Sequence, residues 1–113
     1  MNQGEIWLIE LDPTVGAEMK KSRPAIIINT DTLGKLPLKI IAPITDWKEH
    51  YNEYPWMVKL ISTEKNGLEK ESCVDCFQIR SLSVERFAIC HGTVEPDIIF
   101  YIQDAITKVI GAS

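Results

Sequence analysis

One stretch of this chain repeats its apolar residues at helical spacing, and it comes last. After Pro96, the residues Ile98, Ile102, Ala105, Ile106, Val109 and Ile110 recur at intervals of three and four, the period of a helix with one buried face. Pro96 suits a first helical position. Asp97 and Lys108 suit the two ends of the helix dipole, and Gly111 suits a stop. The spacing predicts a helix of about 14 residues. Everything before it is cut into pieces of strand length by Gly, Pro, Asn and Asp. The predicted strands are Glu5–Leu11, Pro24–Thr30, Leu38–Thr45, Trp56–Ile61, Ser72–Ile79 and Phe87–Val94. In the first, Ile6 and Leu8 share one face with Glu10, and Trp7, Ile9 and Leu11 share the other. Pro43 inside the third predicts an edge or a bulge near Thr45. Ser83 is a candidate N-cap for one helical turn over residues 81–86, and Asn66-Gly67 carries a turn signal. Short strands followed by one helix indicate a mainly β fold, a small barrel or curled sheet with the helix packed on it.

With 113 residues, 45% of them hydrophobic, the chain fits a single domain over residues 1–113 with one ordinary core. No apolar run approaches the ~20 residues of a membrane span, and the first residues lack the pattern of a signal peptide. The three cysteines are odd in number and not spread as a disulfide framework, so a cytoplasmic setting is expected. The formal net charge is −4. That opposes broad, charge-driven binding of nucleic acid, which rests on Lys and Arg neutralising phosphates. A local basic site on an acidic body is still open to it, and Lys20, Lys21 and Arg23 cluster, as do Arg80 and Arg86.

Residues 12–29 have two unlike halves. Pro13, Gly16, Lys20 and Lys21 mark a loop, and Ala25 to Ile28 form a buried apolar run. Between them, Pro24 pushes Arg23 toward an extended backbone. Arg23 is thus presented at the mouth of a strand that enters the core, a good position for a guanidinium that clamps an anion. The alternative is a surface arginine paired with Glu18 or Asp12.

Other candidates each carry a plainer alternative. Thr45 ends a strand, where its hydroxyl can bond an anionic oxygen or cap a turn. Trp47 can stack on a base or cover core. Gln78 and Arg80, two apart on one expected strand, can read base edges or hold a phosphate, or form a solvated face. Cys73-Val74-Asp75-Cys76 with Cys90-His91 can be written as a zinc set. On an extended strand, however, Cys73 and Cys76 point to opposite faces, and no Gly or Pro tightens the backbone between them. They read better as strand cysteines, and no metal or cofactor is expected. His50 and His91 stand apart from any nucleophile pattern.

In order and at suitable spacing, several segments resemble the MazF/PemK toxin family. They are Gly4-Glu5-Ile6-Trp7, Leu11 to Glu18 (L-D-P-T-V-G-A-E), Arg23-Pro24-Ala25, Pro43-Ile44-Thr45, Ser72 with Gln78 to Leu82, and Arg86-Phe87. The resemblance implies an SH3-like β barrel with a C-terminal helix, a homodimer, and the toxin of a type II toxin–antitoxin pair. It implies a metal-independent endoribonuclease that cuts single-stranded RNA at short sequences and is held by a cognate antitoxin protein. The family's catalytic arginine and hydroxyl match Arg23 and Thr45. Glu18 matches the acidic residue of the first loop, and Gln78 the glutamine near the site. Lys20, Lys21, Trp47 and Arg80 complete the expected substrate-binding set. Some members use a His in the first loop and an Arg and an Asp before the glutamine. Those places here hold Ala17, Asp75 and Phe77, so the Arg/Thr pair is the expected catalytic set. The alternatives are a gyrase-binding toxin of the CcdB type, which shares the barrel but relies on a Trp-Gly near its end that is missing here, and a non-catalytic binding module.

Overall fold

The computed structural model describes residues 1–11 and 22–112. Within them lie β1 (Glu5–Glu10), β2 (Ser22–Ile27), β3 (Leu38–Asp46), β4 (Met57–Leu60), β5 (Ser72–Asp75), β6 (Arg80–Ser83), β7 (Phe87–Thr93) and the helix α1 (Pro96–Ile110). The fold is mainly β with one C-terminal helix, as the change of period implies. All pairings are antiparallel, in the order β4-β5-β3-β2-β1-β7, with β6 also beside β3. Among the described strands this path runs from β4 to β7 without closing.

Strict alternation along the central strands gives the sheet two apolar faces. Ile6, Ile26, Ala42, Ile44 and Val74 point to one face, where they meet Ile102 and Ala105 of α1. Ile9, Leu11, Ala25, Ile27 and Ile41 point to the other, closed by Leu82, Phe87 and Trp7. The division of β1 follows the sequence pattern: Ile6 is on the helix side, and Trp7, Ile9 and Leu11 are opposite. In α1, Pro96 sits in the first turn and Gly111 closes the end in the left-handed conformation. Ile98 and Ile106 pack against the helix-side core. Ile110, assigned by spacing to the same face, is the last residue of the helix and is exposed at 67%.

The expected fifth strand, Ser72–Ile79, ends early at Asp75, and β6 begins only at Arg80. Ile44 pairs with Val74 and Ile41 with Arg80. Three steps along β3 therefore face six steps along the neighbouring chain, and the excess loops out between β5 and β6. Gln78 is in that turn and Arg80 opens β6, so the two do not share one strand face as expected. Asp75 makes the break: its Oδ1 accepts from the Phe77 backbone N–H at 3.0 Å, and its backbone carbonyl accepts from Gln78 N–H at 3.3 Å. Pro43, which has no N–H, falls where β3 exchanges β6 for β5 as its neighbour. The irregularity it signals is real but lies on the partner strand.

The expected turn around Ser83 is present as a 3-10 turn over Val84–Arg86, with Ser83 Oγ accepting from Glu85 N–H. Asn66-Gly67 does lie in a turn, with Gly67 N–H donating to the Thr63 carbonyl, but the turn does not close a tight hairpin. Asn66 is buried, its side chain bonds Ile61, Thr63 and Leu68, and the loop crosses β7. There Gly67 lies on His91 and Gly92 lies on Lys65 and Asn66, backbone against backbone.

Candidate active site

β2 and β3 pair at Ala25–Pro43, Ile26–Ala42 and Ile27–Ile41. Continuing that register by two residues sets Arg23 opposite Thr45, and cross-strand partners share a face. The R-P-A-I-I and I-A-P-I-T segments therefore bring a guanidinium and a hydroxyl together from positions 22 residues apart. Arg23 Nη1 donates to Thr45 Oγ1 at 3.4 Å, at a half-buried position. Arg23 Nε is buried and has no hydrogen-bond partner among the described residues. A buried donor without a partner costs free energy in the absence of a ligand, and a planar fork so held is complementary to a phosphate.

The surroundings follow from register. Cys73 lies opposite Thr45; Lys59 lies opposite Cys73, and Met57 opposite Asp75. Cys73 Sγ contacts Met57 Sδ at 3.7 Å. Both Cys73 and Cys76 are buried thiols. Burial, and after it the nearby Asp75, push Cys73 up to about 11 and Cys76 up to about 12. Neutral buried thiols of this kind are packing groups. The extended-strand reading of Cys73 holds, although Cys76 lies just past the end of β5.

Asp75, only 4% exposed, also accepts from Gln78 Nε2 at 3.3 Å. One buried carboxylate thus sets both the backbone of the turn and the orientation of Gln78. Sequence reading assigned Asp75 no role. The residue type is the one available signal, since Asp favours turns in which its side chain accepts from the backbone N–H two residues on.

Trp47 does not meet Arg23 in any described contact. Its Nε1 donates to Glu49 at 3.4 Å, Lys59 Nζ lies 4.9 Å from its ring centroid, and its ring meets Tyr51 edge-on. His50 is part of the same cluster, 4.6 Å from Tyr51 and 5.8 Å from Tyr54. Arg80 pairs with Ile41, four residues back along β3 from Thr45, or about 13 Å at the usual strand rise. Glu18, Lys20 and Lys21 lie outside the described residues.

A family model described as PemK-like, MazF-like toxin of type II toxin–antitoxin system matches residues 2–110. Endoribonuclease MazF9 of Mycobacterium tuberculosis is 30% identical over 110 residues, covering 94% of this chain and 92% of that one. Endoribonuclease MazF of Staphylococcus epidermidis is 36% identical over 87 residues, covering 76% and 71%. Among solved structures, MazF (Form-I) from Deinococcus radiodurans superposes with a TM-score of 0.79 at 20% identity, covering 98% of this chain and 96% of that one. An endoribonuclease in complex with its cognate antitoxin from Mycobacterial species superposes at 0.78 with 15% identity, covering 100% and 97%. At those identities the structural likeness speaks to the fold.

Proposed function

The chain belongs to the PemK-like, MazF-like toxins of type II toxin–antitoxin systems, and from that premise we propose that it cuts single-stranded RNA without a metal, using Arg23 and Thr45 at the scissile phosphate. The observation that carries this reading is the cross-strand pair itself, with Arg23 Nη1 on Thr45 and Arg23 Nε buried beside it without a described partner.

The chemistry follows from these groups. The RNA 2′-oxygen loses its proton and bonds the adjacent phosphorus. The bond to the 5′-oxygen breaks, and that oxygen takes up a proton. The products are a 2′,3′-cyclic phosphate and a 5′-hydroxyl, with no water consumed. A guanidinium stays protonated in proteins, so Arg23 acts as an electrostatic clamp on the non-bridging oxygens and not as a base. Thr45 adds a hydrogen bond as charge develops there. Dependence on the 2′-hydroxyl restricts the reaction to RNA. Gln78, aligned by Asp75, is our candidate for contact with a base, together with Glu18, Lys20, Lys21, Trp47 and Arg80.

The relatives named above are endoribonucleases, which favours this reading over gyrase binding. By the same analogy we infer a cognate antitoxin that occludes Arg23, a homodimer, a cytoplasmic site of action and an SH3-like barrel. The exposed apolar residues Leu33, Leu36, Leu38 and Ile40 support a second copy. The sharing of β3 among three ladders, with β5 and β6 in succession along one edge, supports a strongly curled sheet.

The test is incubation with a long mixed-sequence RNA in EDTA, followed by mapping of fragment ends. The expected result is 5′-hydroxyl fragments that begin at a recurring short sequence. Absence of cleavage, or cleavage that chelation abolishes, refutes the proposal; the first outcome leaves the binding-module alternative.

A further inference from the structure

A chain with a net charge of −4 that acts on RNA gains from contacts that do not depend on phosphate neutralisation. The segment leaving the Arg23–Thr45 pair sharpens the point, because residues 46–56 hold Asp46, Glu49 and Glu53 against Lys48 alone. Its own charges favour contact with bases over phosphates, although Lys70 pairs with Asp46 at 3.0 Å and Lys59 lies over the Trp47 ring. The same segment is rich in rings.

Those rings make one connected row. Trp47 meets Tyr51 at 6.1 Å, and His50 touches both Tyr51 and Tyr54. Tyr54 stacks on Trp56 at 4.9 Å with the planes 10° apart, and Trp56 meets Phe77 edge-on at 5.5 Å. Each end of the row is close in sequence to a candidate residue. Trp47 is two residues past Thr45 on the same strand exit, and Phe77 is next to Gln78 in the turn that Asp75 holds. β4 runs parallel to β3, since both are antiparallel to β5, so the segment between them must return along the sheet and carries its rings with it. Trp56 anchors the row by packing on the helix-side core.

A row that only covered the edge strand would bury its last ring. Phe77 is instead 63% exposed and Tyr54 37%. We propose that this row, with Phe77 and Tyr54 as its open platforms, stacks bases of single-stranded RNA that flank the cleaved bond. The inference rests on the ribonuclease reading and specifies how an acidic enzyme of that kind holds its substrate. Stacking on aromatic rings is sequence-tolerant, so the row supplies affinity and leaves sequence choice to groups such as Gln78. It also sets polarity: bases face the rings, and the backbone turns toward Arg23.

The test uses oligoribonucleotides blocked by a 2′-O-methyl group at the cleaved nucleotide. One just spans the bond and one is extended by several nucleotides on each side. Binding is read by tryptophan fluorescence. Extension should tighten binding, and in Phe77→Ala and Tyr54→Ala that gain should fall about fivefold or more, while Phe77→Trp keeps it to within about twofold. The gain should also depend weakly on salt, as it does not come from phosphate contacts. The proposal is overturned if Phe77→Ala binds the extended RNA like the unmodified protein, if Phe77→Trp is as weak as Phe77→Ala, or if both lengths lose affinity equally. Cleavage of unblocked RNA is measured alongside. Cleavage with an unchanged extension gain removes the stacking row alone, whereas no cleavage removes the ribonuclease reading itself.

Discussion

Arg23→Met separates the functional role of the guanidinium from its structural role. The methionine stem fills much of the same space and carries no donor. Two terms oppose each other in the free protein. Removing a buried Nε without a described partner relieves a desolvation cost of ~1–3 kcal/mol. Losing the bond to Thr45, long at 3.4 Å, costs about 0.5 kcal/mol at the weak end of the usual range. The net expectation is a protein more stable by about 1 kcal/mol, and for a chain of this size that raises the melting temperature by roughly 4 °C. Cleavage should move the other way. Loss of one well-placed donor to a developing oxyanion costs ~10²–10³ in rate, and the fork presents more than one. Thermal unfolding followed by circular dichroism, and initial rates on a fluorogenic RNA, give the two readings. A variant that still cleaves within about tenfold of the parent refutes the catalytic role, whereas one less stable than the parent shows that Nε has a partner in the folded protein and refutes the stability argument.

Further outcomes are expected elsewhere. Gly92→Ala should cost more than ~3 kcal/mol in urea unfolding, since a Cβ there meets the Lys65 carbonyl oxygen at the β7 crossing; a loss under about 1 kcal/mol would contradict the crossing. For the thiols the sign is set by their raised pKa values: the anion is disfavoured in the folded state. Their contribution is therefore complete below the ordinary thiol value of 9.0 and is lost as pH rises through about 11 for Cys73 and about 12 for Cys76. Unfolding free energy should fall over that window and fall less in Cys76→Ala. At neutral pH a thiol reagent should modify Cys90 alone until the protein is unfolded. Asp75→Ala should lower stability by ~1–3 kcal/mol and reduce cleavage, because Gln78 loses its anchor; an unchanged rate would show that Gln78 is not positioned through Asp75.

The features that were legible in the sequence are local ones. The period of residues 98–110 announced α1, the alternation in β1 divided its two faces correctly, and Pro24 located Arg23 at a strand mouth. Thr45 was legible only as a strand-end hydroxyl. Its meeting with Arg23 depends on the β2–β3 register, which no short-range pattern specifies, and it was the resemblance that joined the two. The break between β5 and β6 escaped because Ser72–Ile79 contains no Gly or Pro; a buried carboxylate, Asp75, bends the chain there. Ile110 was misplaced because periodicity says which residues share a face and not where along the helix burial ends. The aromatic row brings Phe77 against Trp56, 21 positions earlier, and such a contact exists only once β4 lies beside β5.

The most direct test of the account is a double-mutant cycle on kcat/KM with Arg23→Met, Thr45→Val and the pair combined. If the two groups act on one phosphate as a unit, each single change should be severe and the double variant should be little worse than Arg23→Met alone. If the two losses simply multiply, the guanidinium and the hydroxyl work independently and the shared-phosphate site is wrong.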